Sequence, residues 1–433
     1  MGPHYKSDLI EPQKQTMLSI ISGQSSDTTT SNDPSYDLDY LINAVRIHLG
    51  MDVAFLSRFH NGQREICQID INHDNETALK SGHVDLCEQT YCQLIADNIL
   101  PEVIPDTSLN AITKRLSITH QLNIGSYIGV PIIFSDKSIY GTLCCFSKKP
   151  DPTLSKKDVS LMKLFAKVAA RNLEDRIKQN TIKQALRSQI TTIIQNQLLS
   201  IVFQPIYDIV NKRVLGFECL SRFNIEPVRA PDYWFDIAEQ AGLGEELEMF
   251  AIETALKHLE YIPDCFYITL NLSPKYIYSE RFRELLEHAP LQRIILEVTE
   301  REVIDDYQAF QDTLKPFRRK GLRLAVDDAG AGFASFHHIL ELQADIIKLD
   351  RSLINNINAD NGRRALITAL TSFAKETSSK VLGEGVETQE EADTLTYLGV
   401  EKMQGYYLCH PIPLSEALAF SFELNVQNEQ KAE

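Results

Sequence analysis

Two patterns of apolar and polar positions divide the chain. From about residue 36 to residue 176 they are mixed. Leu38, Leu41, Ile42, Val45 and Leu49 recur at three- and four-residue steps, which predicts a helix ended by Gly50. Val53 to Phe59, the pair Asn61-Gly62 and Glu65 to Ile71 predict a strand, a tight hairpin turn and a returning strand. Glu88 to Asp97 has helical spacing. Ser126 to Phe134 and Ser138 to Ser147 read as strands about a Ser135-Asp136-Lys137 turn, and Leu154 to Arg176 as an amphipathic helix. No Gly or Pro interrupts Ser155 to Leu199. One long helix or two abutting ones are expected there. Leu161, Leu164, Phe165, Val168, Leu173, Ile177, Ile182 and Leu186 form an apolar stripe along it, expected to be buried.

Beyond about Gln184 the pattern becomes regular. Short apolar runs read as buried strands over Ile201–Ile206, Val214–Leu220, Phe266–Leu272, Ile294–Val298, Leu322–Val326, Ile346–Leu349, Val381–Gly383 and Lys402–Tyr406. Amphipathic helices such as Ala251–Leu259, Tyr307–Lys320 and Gly362–Thr377 lie between most of them. About eight strand–helix units in this length predict an α/β barrel of the TIM type, (β/α)8. The expected organisation is a polar, disordered leader over residues 1–35, an α+β domain over 36–178, a linker helix over 179–200 and the barrel over 201–433.

A TIM-type barrel places its reactive groups at the C-terminal ends of its strands. In order, those ends carry Gln204, Glu218 with Arg222, Asn271, Glu297 with Glu300, Asp327-Asp328, Lys348 with Asp350, Glu384 with Glu387, and Gln404. The run Leu324 to Phe333 concentrates this chemistry: an apolar strand, two adjacent carboxylates, then Ala329-Gly330-Ala331-Gly332. Taken alone, it reads either as a turn whose aspartates cap the next helix or as a cation site. Neighbouring side chains on a strand face opposite ways, so both carboxylates reach one site only where the strand is ending and turning. The whole rim favours the cation. Glu218, Asn271, Glu297, Asp327, Asp328 and Glu384 are hard oxygen donors with no His or Cys among them, which selects Mg²⁺ or Mn²⁺, or Ca²⁺, over zinc. Six donors exceed what one hydrated Mg²⁺ uses. Two ions sharing an aspartate fit better, an arrangement suited to in-line displacement at a phosphodiester. Lys348 is placed to contact water or a phosphoryl oxygen, and Arg222 to hold a second phosphate.

Composition narrows the partners. The chain has 433 residues, 43% hydrophobic and 24% charged, with a net charge of −16. An acidic balance excludes a nucleic-acid-coating protein. No apolar run reaches the ~20 residues of a membrane span, and no apolar segment behind a basic start marks a signal peptide. The eight cysteines have no Cys-x-x-Cys spacing, so a reduced, cytoplasmic setting is expected. Cys144-Cys145 lie in an apolar run and read as core residues. Cys87, Glu88, Thr90, Tyr91, Cys92 and His120 are candidates for lining a pocket in the first domain, against the plainer reading that they are packing and surface residues.

Phe217-Glu218-Cys219-Leu220-Ser221-Arg222 resembles the Glu-Ala-Leu-x-Arg signature of EAL domains, the cyclic di-GMP phosphodiesterases. Gln204-Pro205, Asn271-Leu272-Ser273, Glu297-Val298-Thr299-Glu300, Asp327-Asp328, Lys348-Leu349-Asp350, Glu384-Gly385-Val386-Glu387 and Gln404-Gly405 follow in the family's order. The resemblance implies that Glu218, Asn271, Glu297 and Asp327 hold one metal and that Asp327, Asp328 and Glu384 hold a second. It implies that Lys348 contacts the attacking water, that Gln204, Leu220, Arg222, Asp350, Glu387 and Gln404 position cyclic di-GMP, and that Glu300 anchors the loop after Asp328. The catalytic set is then Glu218, Asp327, Lys348 and Glu384, and the product is linear pGpG. Two features depart from the family: Cys219 replaces the signature alanine, and the usual Asp-Asp-Phe-Gly-Thr-Gly loop is Asp-Asp-Ala-Gly-Ala-Gly. No diguanylate cyclase signature is present. The first domain, through Tyr127-Ile128-Gly129-Val130-Pro131-Ile132 and Ile139-Tyr140-Gly141-Thr142-Leu143-Cys144, resembles a GAF sensor domain. Its ligand is unidentified: a small molecule or none. A homodimer is expected from the long helix and the resemblance. Three readings remain: a phosphodiesterase regulated by the GAF domain, a weakly active or inactive cyclic di-GMP receptor, and a protein-interaction regulator using the long helix, which is compatible with either of the others. Such receptors lack some ligands or the lysine, and this sequence has them all.

Overall fold

Strands that are apolar at every position need cover on both faces, and the first half of the chain supplies it. The computed structural model describes residues 34–72, 77–299, 304–330 and 335–430, so the expected leader falls outside the described residues up to residue 33. The chain divides into two units, Met1–Ile182 and Lys183–Glu433. In the first, β1 (Val53–His60), β2 (Gln63–Ile71), β3 (Val84–Leu86), β4 (Val103–Ile104), β5 (Ser126–Ile133) and β6 (Ile139–Ser147) form an antiparallel sheet in the order β3-β2-β1-β6-β5-β4. Alternate residues separate its two layers. Ala54, Leu56, Ile128, Val130, Leu143 and Cys145 pack against Leu41 and Val45 of the helix Pro34–Leu49 and against Met162 and Phe165 of the helix Lys156–Gln195. Val53, Phe55, Tyr127, Cys144 and Phe146 face the opposite layer with Tyr91, Cys92 and Ile95.

The β1–β2 hairpin turns on Asn61 (φ 49°) and Gly62 (φ 73°), the two positive φ values a two-residue turn of this kind requires. The helix expected over Glu88–Asp97 is broken. Thr90 is extended (φ −116°, ψ 147°) and its side chain caps Tyr91–Ala96, leaving a short 3-10 turn at Cys87–Gln89. The helix Lys156–Gln195 is continuous, but its stripe is buried only in part. Met162 to Leu173 serve the first core and Ile190 and Ile193 the second, whereas Ile177 and Ile182 between them are exposed. The burial expected along the whole stripe therefore fails at Leu164, Ile177 and Ile182.

In the second unit, eight strands among the described residues close into a barrel: β7 (Leu199–Asp208), β8 (Arg213–Phe223), β9 (Tyr267–Asn271), β10 (Ile294–Thr299), β11 (Arg323–Ala329), β12 (Ile346–Leu349), β13 (Lys380–Gly383) and β14 (Lys402–Met403). β7 departs from the expected all-parallel scheme. It pairs antiparallel with both β8 and β14, because a short hairpin, and no helix, joins it to β8. Its C-terminal end therefore lies on the opposite rim from those of β8 to β13. β14 is also shorter than expected. Gly405 has φ 154°, and a Cβ there would come within 2.2 Å of the Val386 carbonyl oxygen.

The period of two along each strand builds the barrel interior in layers. Ile206, Tyr267, Ile295, Ala325, Ile346 and Leu382 form an apolar plug inside it. Two residues further along, or earlier on the reversed β7, the same inward face carries Gln204, Thr269, Glu297, Asp327, Lys348 and Glu384. Asp327, Lys348 and Glu384 are thus lifted to one rim by an apolar floor beneath them. Gly216, the inward neighbour of Glu218, makes room for the Tyr267 ring: a Cβ would lie 2.3 Å from the Tyr267 carbonyl oxygen and 2.7 Å from the ring. Gly216→Ala is expected to lower unfolding stability by about 1–3 kcal/mol through overpacking. Urea denaturation measures it, and an unshifted midpoint would contradict this packing.

Candidate metal centre

The sequence leaves open how two adjacent aspartates share a site. The answer is a bulge. β11 does not end at Val326 but continues to Ala329, and its pairing with β12 slips between Val326 and Ala329. Within that slip Asp328 takes the left-handed conformation, φ 58°, and its N–H donates to Asp327 Oδ1 at 2.8 Å. The extra residue turns both carboxylates to the same side. Two groups of acids result. Glu218, Glu297 and Asp327 bring oxygens within 4.8 Å of one another, and so do Asp327, Asp328 and Glu384. Asp327 belongs to both. Asn271 reaches the rim from the end of β9, directly paired with Glu297.

Lys348 stands among these acids. Its Nζ lies 2.7 Å from Glu297, 2.7 Å from Glu384, 3.1 Å from Asp327 and 3.5 Å from Glu218, and its side chain is 1% exposed. The contact with Glu384 Oε1 is an ion pair by distance, off the hydrogen-bonding direction. Burial opposes the ammonium charge, but Asp327, Glu218, Glu297 and Glu384 outweigh it and hold the lysine well above its usual range. Burial pushes Glu297 up to about 8 against the pull of Lys348, and it pushes Glu384 well above the usual carboxylate range. Four carboxylates therefore surround one ammonium, and Asp328 stands beside Asp327 and Glu384 as a fifth acid. Gln404 Nε2 donates to Glu218 Oε2 and fixes that carboxylate, but it brings no charge. The donor set fits divalent cations: oxygen ligands, negative excess and a shared aspartate.

Known proteins resemble this arrangement over the second unit. A family model described as EAL domain matches residues 179–411. The chain belongs to the EAL domain family. A GAF domain model matches residues 38–173. Among curated relatives, the probable cyclic di-GMP phosphodiesterase PdeN of Escherichia coli (strain K12) is 30% identical over 241 residues, which are 53% of this chain and 46% of that protein. The probable cyclic di-GMP phosphodiesterase PdeA of the same organism is 30% identical over 256 residues, 56% of this chain and 35% of that protein. The chain thus spans less than half the length of each. The structure of the EAL enzyme Bd1971 in its cAMP- and cyclic-di-GMP-bound form has 22% identity and a TM-score of 0.52, over 85% of this chain and 93% of that one. That is a likeness of fold.

Within the EAL domain, the candidate substrate residues divide. Leu220 and Arg222 line a cavity of about 410 Å³ together with Glu218, Asn271 and Glu297. The remaining four are engaged elsewhere. Gln204 donates to the Cys409 carbonyl at 3.1 Å, Gln404 holds Glu218, Asp350 caps the helix Arg351–Ile354, and Glu387 pairs with Arg351 at 2.5 Å. Cys219 points away from the rim into the outer core and is buried. Glu300, Ala331, Gly332 and Phe333 lie outside the described residues. One residue absent from the sequence reading is Glu248. Buried on the helix Gly244–Lys257, it accepts from Ser273 N at 2.6 Å and from Ser273 Oγ at 2.7 Å. That positions the segment after Asn271. The available signal was a glutamate inside the apolar stripe Leu247, Ala251, Ile252 and Ala255.

These electrostatics have a measurable sign. Glu297 titrates near 4.5 in an unfolded chain and near 8 in the fold. Between those values the folded state binds the additional proton, so this group's contribution is present at low pH and lost as pH rises through about 8. In EDTA the melting temperature is expected to fall from pH 6.5 to pH 9. Saturating Mg²⁺ or Mn²⁺ is expected to flatten that slope and raise stability by about 2.7 kcal/mol at 100 times Kd. A thermal melt that ignores both pH and metal would contradict the reading of the site.

Proposed function

We propose that this chain hydrolyses cyclic di-GMP to linear pGpG in a reaction that requires Mg²⁺ or Mn²⁺ at two sites sharing Asp327. The observation that carries the proposal is the pair of acidic groups joined through Asp327 around Lys348, in a chain of the EAL family. The names of PdeN and PdeA support the substrate.

Glu218, Asn271, Glu297 and Asp327 would hold one ion, and Asp327, Asp328 and Glu384 the other. Bound there, the ions supply charge neutralisation at the phosphodiester and acidify water. Lys348 orients the attacking water through its ammonium. Glu384, 2.7 Å from that ammonium, takes the water proton. Water oxygen bonds to phosphorus, the bond from phosphorus to the ribose 3′ oxygen breaks, and the products carry a 5′ phosphate and a 3′ hydroxyl. Gln404 holds the Glu218 carboxylate within the acidic group that would bind the first ion. Arg222, on the cavity wall beside Leu220, holds the second phosphate, and Gln204, Asp350 and Glu387 reach the substrate by giving up the Cys409, helix-cap and Arg351 contacts they make. Regulation of this activity by the GAF domain belongs to the same proposal.

Purified protein with Mn²⁺ is expected to convert cyclic di-GMP to pGpG, followed by liquid chromatography. Glu218→Ala is expected to lower kcat by about 10²-fold or more with the fold retained by circular dichroism, and Arg222→Ala to act chiefly on KM. Binding of cyclic di-GMP without turnover in the unaltered protein would replace this proposal with a receptor.

A further inference from the structure

The GAF domain buries a second reactive cluster. Cys92, on the helix Tyr91–Ala96, and Cys144, on β6, are both fully buried, with their sulfurs 3.8 Å apart. Arg64, 2% exposed, directs Nη1 at Cys92 Sγ from 3.6 Å. Tyr127 Oη lies 3.6 Å from the same sulfur, and Thr142 Oγ1 lies 3.2 Å from Cys144 Sγ. Arg64 also pairs with Asp85, which is partly exposed. Its Nε is buried without a hydrogen-bond partner among the described residues. A guanidinium buried in an otherwise apolar and aromatic layer is costly unless something there needs its charge.

We propose that Cys92 and Cys144 are a peroxide-reactive dithiol that closes to a disulfide inside the GAF domain. The Cys92 thiolate attacks one oxygen of hydrogen peroxide, the O–O bond breaks, and Cys92 becomes a sulfenic acid with release of hydroxide. Cys144 then attacks the Cys92 sulfur. The S–S bond forms, water leaves, and peroxide has taken two electrons from two thiols. The sulfurs must close to ~2.05 Å, a movement shared between a short helix and a strand side chain.

The surroundings assign the roles. Burial raises Cys92, but hydrogen bonding from Cys144 and the charge of Arg64 overrule it and hold the thiol well below its usual range. Burial keeps Cys144 well above that range, so it remains the proton-bearing partner that resolves the sulfenic acid. Cys145 supplies a contrast. Equally buried, it faces the other layer with Leu41, Val45 and Met162. Access is restricted. A cavity of about 10 Å³ is lined by Arg64 and Tyr127, the two groups that also contact Cys92 Sγ, and by Tyr91. That is room for about one water, so hydrogen peroxide reaches Cys92 only as the layer opens locally, and the closed layer excludes bulky thiol reagents.

The test uses the full chain. Native protein is treated with hydrogen peroxide, free thiols are alkylated in denaturant, and peptides are analysed without reductant by mass spectrometry. The expected product links the Cys92 peptide to the Cys144 peptide and disappears with dithiothreitol. Cys92→Ser and Cys144→Ser lose the link, whereas Cys87→Ser and Cys145→Ser keep it. In Cys144→Ser, treated with peroxide in the native state and then unfolded in the presence of dimedone, a dimedone adduct on Cys92 is expected. Recovery of Cys92 and Cys144 as alkylated thiols from unaltered protein, while the exposed Cys265 is oxidised, would overturn the proposal. A dimedone adduct on Cys144 in Cys92→Ser would overturn the assignment of the attacking sulfur.

Discussion

Negative charge held out of water organises the EAL domain. Glu218 and Glu297 are buried, Glu384 is half-buried, and Asp327 is 13% exposed at its side chain. An uncompensated carboxylate in such a place costs several kcal/mol. Lys348 answers part of the charge and cannot answer all of it. The rest of the barrel is arranged so that this conflict persists rather than relaxes. The apolar layer of Ile206, Tyr267, Ile295, Ala325, Ile346 and Leu382 blocks any retreat of the acids into the interior. The β11 bulge prevents Asp328 from turning outward, and Gln404 holds Glu218 in place. A site kept short of positive charge in this way suits divalent cations, by electrostatics and by its all-oxygen donors.

Much of this was legible in the sequence. The strand runs fell where the barrel strands fall, and the polar residue after each run fell on the rim, because the barrel interior obeys the period of two. The place of Asp327 in both acidic groups agrees with what the ordered set of motifs implied. The bulge was not. Its evidence is a slip in pairing between β11 and β12, a tertiary fact, and the sequence pattern suggested a strand that stops. The reversal of β7 escaped for a related reason. A strand's direction depends on its connections, and the β7–β8 hairpin looks like any short loop between apolar runs. Glu248 went unread because its stripe reads as packing until the Ser273 backbone is placed against it.

The GAF domain shows a comparable limit. Its hairpin and four longer strands followed from the apolar pattern, whereas the short strands β3 and β4 and the two-layer core did not. Of the residues suggested by sequence for a pocket, Tyr91 lines the small cavity, and Cys92 is buried against Arg64, Tyr127 and Cys144. Arg64 is the residue that pattern could not place. On a strand of alternating character it looks like an outward-facing charge, yet it lies inside the aromatic layer. A register of β1 against β2 that shifts at Leu56 and Ser57 is the local reason the alternation misleads.

The central claim is that one carboxylate, Asp327, serves two cations at once. Electron paramagnetic resonance of the protein titrated with Mn²⁺ tests it most directly, because ions bridged by a common carboxylate are magnetically coupled and separate ions are not. The account predicts two coupled Mn²⁺ ions per chain at saturation, with the coupling lost in Asp327→Asn. A spectrum of isolated ions throughout the titration, unchanged by that substitution, would contradict it.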